Sequence, residues 1–133
     1  MNHAGPAGKR AGTRAAVTVY GYATCGTCRN AQRWLRERGM PFRDVDITRT
    51  PPSRTVLAAA VRSGGYRACD LLNRSGELYR AMRMKEKAPA MSERALLALL
   101  ARHGRLIKRP VITDGRRVTV GFDPDRLRAV WTA

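Results

Sequence analysis

The order of residues in this chain predicts an α/β fold: a mixed sheet with a block of helices inserted between its second and third strands. Three observations carry that reading. A strand-like run, an amphipathic helix and a second strand follow one another in the first third. A turn-centred pair of short strands and a capped helix close the chain. Between the first strand and the first helix lies Cys25-Gly26-Thr27-Cys28, two thiols one helical turn apart.

The first strand is expected over 16–20, with Val17 and Val19 on one face. The first helix follows, with Ala31, Trp34 and Leu35 at i, i+3 and i+4, and Gly39 as its stop. Strand two is expected over 42–47, with Val45 and Ile47 facing one way. Two parallel strands joined by a helix make a right-handed βαβ unit. Pro51-Pro52 is a stop and Ser53 an N-cap for a helix whose stripe is Val56, Leu57, Ala60 and Val61, ending at Ser63-Gly64-Gly65. A turn-rich piece over 71–76 leads into a short helix with Leu78, Tyr79 and Met82. Ser92 caps the next helix, which turns Leu96, Leu99 and Leu100 inward and ends at Gly104. Asp114-Gly115 predicts a type I′ hairpin turn between 111–113 and 116–120. Asp123-Pro124 opens the last helix, with Leu127, Val130 and Trp131 on its apolar face.

At 133 residues the chain is long enough for one domain with a core of its own. That domain is expected over 16–133, with the helical insertion about 53–104, after a basic, disordered tail over 1–15. No apolar run reaches membrane-spanning length, and the tail lacks the apolar segment of a secretory signal, so a cytoplasmic protein is expected. The formal charge is +16, from 26 Lys and Arg against 10 Asp and Glu, and only four of the cations are lysines. Such a surface attracts nucleic acid, acidic protein or small oxyanions. The arginines are scattered, however, and no nucleic-acid-reading motif accompanies them, so a compositional bias fits equally well.

The chemistry is expected at the two thiols. A thiol at a strand-to-helix turn faces unpaired backbone N–H groups and the positive end of the helix dipole, which favours the reactive thiolate. Cys25, at the loop end, is the expected nucleophile. Cys28, inside the first turn, is more sheltered and would resolve a mixed disulfide on Cys25. A zinc half-site is the other use of such a pair, but only Cys69, His3 and His103 remain as ligands and none forms a second pair, so no metal is expected. Arg29 would add positive charge beside the thiols, or be a bystander on an exposed helix face. Cys69 is read as buried and inert. His103 ends a helix, and Trp34 and Trp131 are core residues. With a C-x-x-C after the first strand, the element order is the thioredoxin-like layout. That layout puts a cis proline ahead of the third strand, at Arg109-Pro110, with Arg109 placed to bind an oxyanion bidentately or to form a surface ion pair.

Taken together, these residues resemble the arsenate reductase/Spx family, a thioredoxin-fold group with a helical insertion. The matching segments are Tyr22-Ala23-Thr24-Cys25-Gly26-Thr27-Cys28-Arg29-Asn30-Ala31, Pro51-Pro52-Ser53, Leu72-Asn73-Arg74-Ser75-Gly76, Leu106-Ile107-Lys108-Arg109-Pro110 and Val118-Thr119-Val120-Gly121-Phe122. The resemblance implies a cysteine nucleophile at Cys25 and an arginine ligand at Arg109. It also implies that the family's other two oxyanion arginines align with Asn73 and Gly121, leaving Arg74 or Arg29 as replacements. No bound cofactor is implied, and glutathione, glutaredoxin or thioredoxin would supply electrons for an oxyanion or disulfide substrate. The second thiol points to the C-x-x-C branch, which includes redox-sensing regulators that bind the C-terminal domain of the RNA polymerase α subunit. A glycine after the second helix contributes to that contact, and Gly64 or Gly65 is the nearest match.

Overall fold

The computed structural model describes residues 16–132; the basic tail expected over 1–15 and His3 lie outside them. β1 (Val17–Gly21), α1 (Gly26–Glu37) and β2 (Phe42–Asp46) come first. The helical block follows: α2 (Arg54–Arg62), α3 (Glu77–Ala81), α4 (Met84–Lys87) and α5 (Glu93–Arg102), joined by short 3-10 turns. β3 (Val111–Thr113), β4 (Val118–Val120) and α6 (Pro124–Trp131) complete the chain. The sheet order is β2-β1-β3-β4. β1 and β2 run parallel, Val17 opposite Phe42, whereas β3 is antiparallel to both β1 and β4. Among the described residues no helix is long and apolar enough to cross a membrane.

Alternation along the strands sends side chains to two cores, one on each face of the sheet. Val17, Val19 and Ile112 meet Ala31, Trp34 and Leu35 of α1 and Leu127 and Trp131 of α6. Val111, Val118 and Val120 meet Leu57 and Ala60 of α2 and Leu96 and Leu100 of α5. The indole Nε1 of Trp131 donates to Thr119 Oγ1 at 3.0 Å, which satisfies both groups inside the core. Trp34 is buried too, but among the described residues its Nε1 has no partner; the Arg38 guanidinium lies 3.9 Å from its ring instead.

The helix starts follow the local chemistry. Ser53 and Ser92 accept from Val56 N and Ala95 N at 3.2 and 3.1 Å, and Asp123 caps α6 ahead of Pro124. Gly39, at φ +67°, ends α1 in the left-handed region open to glycine. Gly104 does more than end α5: a Cβ there would stand 1.8 Å from the carbonyl oxygen of Ile47, so the chain passes only because residue 104 has no side chain.

α1 begins at Gly26 with Cys25 as its cap, so Cys28 lies in the first helical turn as expected. The short helix expected with Leu78, Tyr79 and Met82 is α3, with Met82 at its end; Arg83, at φ 54°, separates it from α4. In α5 Leu96 and Leu100 are buried and Leu99 packs against the same core partly exposed, and Leu97 is buried beside them. The hairpin turn is not type I′: only Gly115 has positive φ, and the loop takes four residues. Asp114 turns its carboxylate inward to accept from Arg116 N and Arg117 N, at 2.9 and 2.8 Å, and so builds a longer loop.

Candidate active site

The site forms where β1 gives way to α1. Cys25 N donates to the Tyr22 carbonyl at 3.0 Å, which closes the loop and leaves Cys25 as the N-cap of α1. Its Sγ accepts from Cys28 N at 3.3 Å, a role that serine or aspartate oxygen usually fills. The Thr27 hydroxyl lies 3.1 Å from the same sulfur and 3.3 Å from the Arg109 carbonyl. When Cys25 keeps its proton, Thr27 donates to that carbonyl; as the sulfur ionises, the hydroxyl is within reach to donate to it.

The two thiols are held in different ionisation states. Burial opposes ionisation of Cys25, but the hydrogen bonds from the Cys28 thiol, the Thr27 hydroxyl and the Cys28 backbone, with the Arg109 charge, outweigh it. Its thiol is therefore held below the ordinary range. Cys28 is 1% exposed, and burial together with its hydrogen bond toward Cys25 pushes its thiol up to about 12. One sulfur is half-exposed and ready to ionise; its neighbour is buried and keeps its proton.

A second wall comes from the chain ahead of β3. The segments around Leu72 and Ile107 pair antiparallel, with Asn73 N donating to Leu106 O at 2.8 Å and Lys108 N to Leu71 O at 2.7 Å. This pairing sets Asn73 beside Lys108 and Arg109. The Arg109–Pro110 bond is cis, Pro110 is buried, and the Arg109 guanidinium lies 5.6 Å from the Tyr22 ring centroid. Cys25, Asn73, Lys108, Arg109, Gly121 and Arg126 all line one cleft of about 450 Å³. A neighbouring hollow, lined by Arg74 and Asp70, shares Asn73, Ser75, Lys108 and Arg126 with it.

The structure thus brings Cys25, Arg109 and the Asn73 and Gly121 positions to one cleft, with Cys28 buried behind Cys25. It does not bring Arg29 there: its Nη1 donates to the Ala23 carbonyl at 3.0 Å, bracing the loop before the thiol. Arg74 lines the adjoining hollow, where its Nη2 donates to Cys69 O. Lys108 and Arg126 are the cleft cations that sequence reading missed. Lys108 had a signal in being next to Arg109, but nothing in the sequence places Arg126, on α6, opposite residue 73. Cys69 is half-exposed rather than buried, at the mouth of an apolar hollow within the helical block.

The ArsC family matches residues 20–130. The protein YusI of Bacillus subtilis, itself uncharacterized, is 44% identical over 115 residues, covering 86% of this chain and 98% of that one. The global transcriptional regulator Spx of Streptococcus pneumoniae is 26% identical over 113 residues, covering 85% of this chain and 84% of that one. The crystal structure of an ArsC-family-related protein from Bacteroides fragilis superposes with a TM-score of 0.79 at 32% identity, covering 86% of this chain and 96% of that one. With a match from Tyr20 to Val130, paired thiols at the turn from β1 to α1 and this sheet order, the chain belongs to the ArsC family and carries its thioredoxin-like fold.

Proposed function

We propose that this protein is a thiol–disulfide oxidoreductase in which Cys25 is the nucleophile and Cys28 the resolving thiol. The observation that supports it best is the unequal pair at the start of α1. A half-exposed thiol held below its ordinary range can attack, while a buried, protonated one waits until a mixed disulfide forms on its neighbour. Membership of the ArsC family supports thiol redox chemistry of this general kind. The substrate class is a disulfide or an arsenate-like oxyanion. Asn73 and Gly121 are neutral where the resemblance places two of the family's oxyanion arginines, while Lys108, Arg109 and Arg126 bring positive charge to the same cleft, so both substrate classes are tested. Reducing power would come from glutathione, or from thioredoxin or glutaredoxin.

The test is turnover of low-molecular-weight disulfide with a thioredoxin system, and of arsenate with glutathione and glutaredoxin, each followed by consumption of reductant. Cys25→Ser should abolish turnover, and Cys28→Ser should accumulate a mixed disulfide on Cys25 detectable by intact mass. Absence of turnover on both classes would overturn the reading.

The Spx relatives motivate a second reading, a redox-switched regulator that binds the RNA polymerase α subunit. Lack of turnover with capture of purified α subunit by the oxidised protein would favour it. The glycine after α2 lends it no separate weight. A Cβ on Gly64 would stand 2.5 Å from the Ala60 carbonyl oxygen, so packing alone accounts for that residue.

A further inference from the structure

We propose that the hollow inside the helical block is a binding site for an aliphatic chain with a carboxylate head, the chain lying in the hollow and the head at the cations of its mouth. Neither Cys25 nor Cys28 lines this hollow, so it serves apart from the thiol pair.

The hollow holds about 730 Å³, within the roughly 300–1,000 Å³ that small-molecule sites span. Its floor is apolar: Ala68, Leu72, Met84 and Leu96 line it and are all buried. Val61, Tyr79 and Met91 stand as walls, packed on the core with one side and facing the hollow with the other. Two of these residues are methionines, whose unbranched side chains adapt to an irregular apolar guest. Burial of a chain against such a lining is favourable in proportion to its length.

The backbone is bent to make this shape. Arg83 has a φ of 54°, in the left-handed region that a residue with a Cβ seldom takes. It separates α3, which brings Tyr79, from α4, which brings Met84 and Lys85. In one continuous helix residues 79 and 84 would stand about 140° apart and face different sides. The turn at Arg83 lets both line the hollow. Strain of this kind is kept where the surroundings gain from it.

The mouth sets the head group. Arg67, Arg74 and Lys85 line it against one carboxylate, Glu93. Arg67 is engaged: Asp70 accepts from its Nη2 at 3.4 Å and from its backbone N at 2.8 Å. Arg74 donates through Nη2 to the Cys69 carbonyl at 3.3 Å, which orients the guanidinium without neutralising it. Among the described residues neither Arg74, Lys85 nor Glu93 forms an ion pair. Glu93 stands in the first turn of α5, where the helix N-terminus favours its charge. Two cations against that one carboxylate leave a single positive surplus, which matches a monoanionic head. A carboxylate suits the guanidinium of Arg74 and leaves its donors paired where a neutral head would not.

The experiment uses the full chain with Cys25→Ser and Cys28→Ser, which leaves Cys69, at the mouth of the hollow, as the one thiol. Decanoate, decanol and decyltrimethylammonium are titrated below their micelle concentrations. Calorimetry gives stoichiometry and affinity, and the rate of Cys69 alkylation by iodoacetamide gives location. One decanoate should bind per chain, ahead of decanol and with the cation weakest, and Cys69 should be protected in step with occupancy. Octanoate, two methylenes shorter, should bind about tenfold more weakly. Arg74→Met and Lys85→Met should each weaken decanoate about two- to fivefold and leave decanol unchanged, and Lys85→Arg should restore it. Ala88→Trp places a ring in the hollow and should abolish binding, with urea unfolding as the check on its fold. Equal affinity for decanoate and decanol, no dependence on chain length, uptake of many decanoates without saturation, or undiminished alkylation of Cys69 at saturation would overturn the proposal. A concentration-dependent dimer whose Cys69 is already protected would give the hollow to a second copy and overturn it too. None of these outcomes touches the oxidoreductase reading, which rests on Cys25.

Discussion

Gly21 stands directly against Cys28: a Cβ built on Gly21 would lie 2.9 Å from the Cys28 Sγ and 3.1 Å from its Cβ. The last residue of β1 and the buried thiol fit together only because one of them has no side chain. Gly21→Ala should therefore lower the stability of the reduced protein by about 1–3 kcal/mol, the usual cost of an overpacked methyl. Urea unfolding would measure it. Gly26→Ala is the control: nothing lies within 4 Å of its Cβ position, and it opens a helix, so the change should be neutral or stabilising. A destabilisation equal in the two variants would contradict the packing argument.

Alkylation by iodoacetamide should separate the thiols by pH. Cys25, whose thiolate is favoured by Cys28, Thr27 and Arg109, should react at a lower pH than free cysteine, while Cys28 should stay unlabelled in the folded protein throughout that range. Thr27→Val removes one hydrogen bond to the sulfur. Its midpoint should move upward and its rate near neutrality should fall about three- to tenfold. An unmoved midpoint would mean that the hydroxyl serves only the Arg109 carbonyl.

Stability in alkali depends on Cys28. Its folded-state value of about 12 exceeds the value of roughly 8.5 expected for an unfolded chain. Below the lower value both states hold the proton and nothing is lost. Between the two, only the unfolded chain can release it, so stability should fall as pH rises through that window. Burial of Tyr20 raises its phenol too and adds a loss of the same sign, starting higher. Cys25 acts oppositely, because its lowered value favours the folded state once the sulfur ionises. Unfolding at a series of pH values should show a steeper alkaline decline in the native protein than in Cys28→Ala. Parallel curves would sink the assignment.

Two tryptophans should respond differently to the same change. Trp131→Phe strips Thr119 of its donor inside the core and should cost more than Trp34→Phe by about 1 kcal/mol. Trp34 Nε1 has no partner to lose among the described residues. Equal costs in thermal or urea unfolding would show that ring volume alone decides.

A larger penalty is expected at Gly104→Ala, about 3 kcal/mol or more, because the added carbon meets backbone at Ile47 rather than a side chain that can move. Unfolding of the purified variant, or its failure to accumulate as folded protein, would register it.

The sheet and the helices on its faces were legible because their signals are local: valine alternation in β1, capping serines at Ser53 and Ser92, and Asp123-Pro124 before α6. The paired thiols were legible for the same reason. What escaped depends on distance in the chain. Arg126 reaches the cleft only because α6 packs beside Tyr66, and the role of Gly104 depends on where Ile47 ends up. The two readings of Arg29 could not be separated in the sequence, because adjacency to Cys28 does not tell which way a helical side chain turns, and here it turns back to Ala23. The hairpin turn failed where Asp114 found better acceptor work than a left-handed backbone.

Residues 71–73 and 106–108 are stitched together by main-chain atoms alone at Leu71, Asn73, Leu106 and Lys108. The walls of the cleft thus keep their separation whatever side chains they carry. Chemical preference at this address can be rewritten one letter at a time, with neutral, cationic or acidic groups swapped in, while the sulfur and its scaffold stay put.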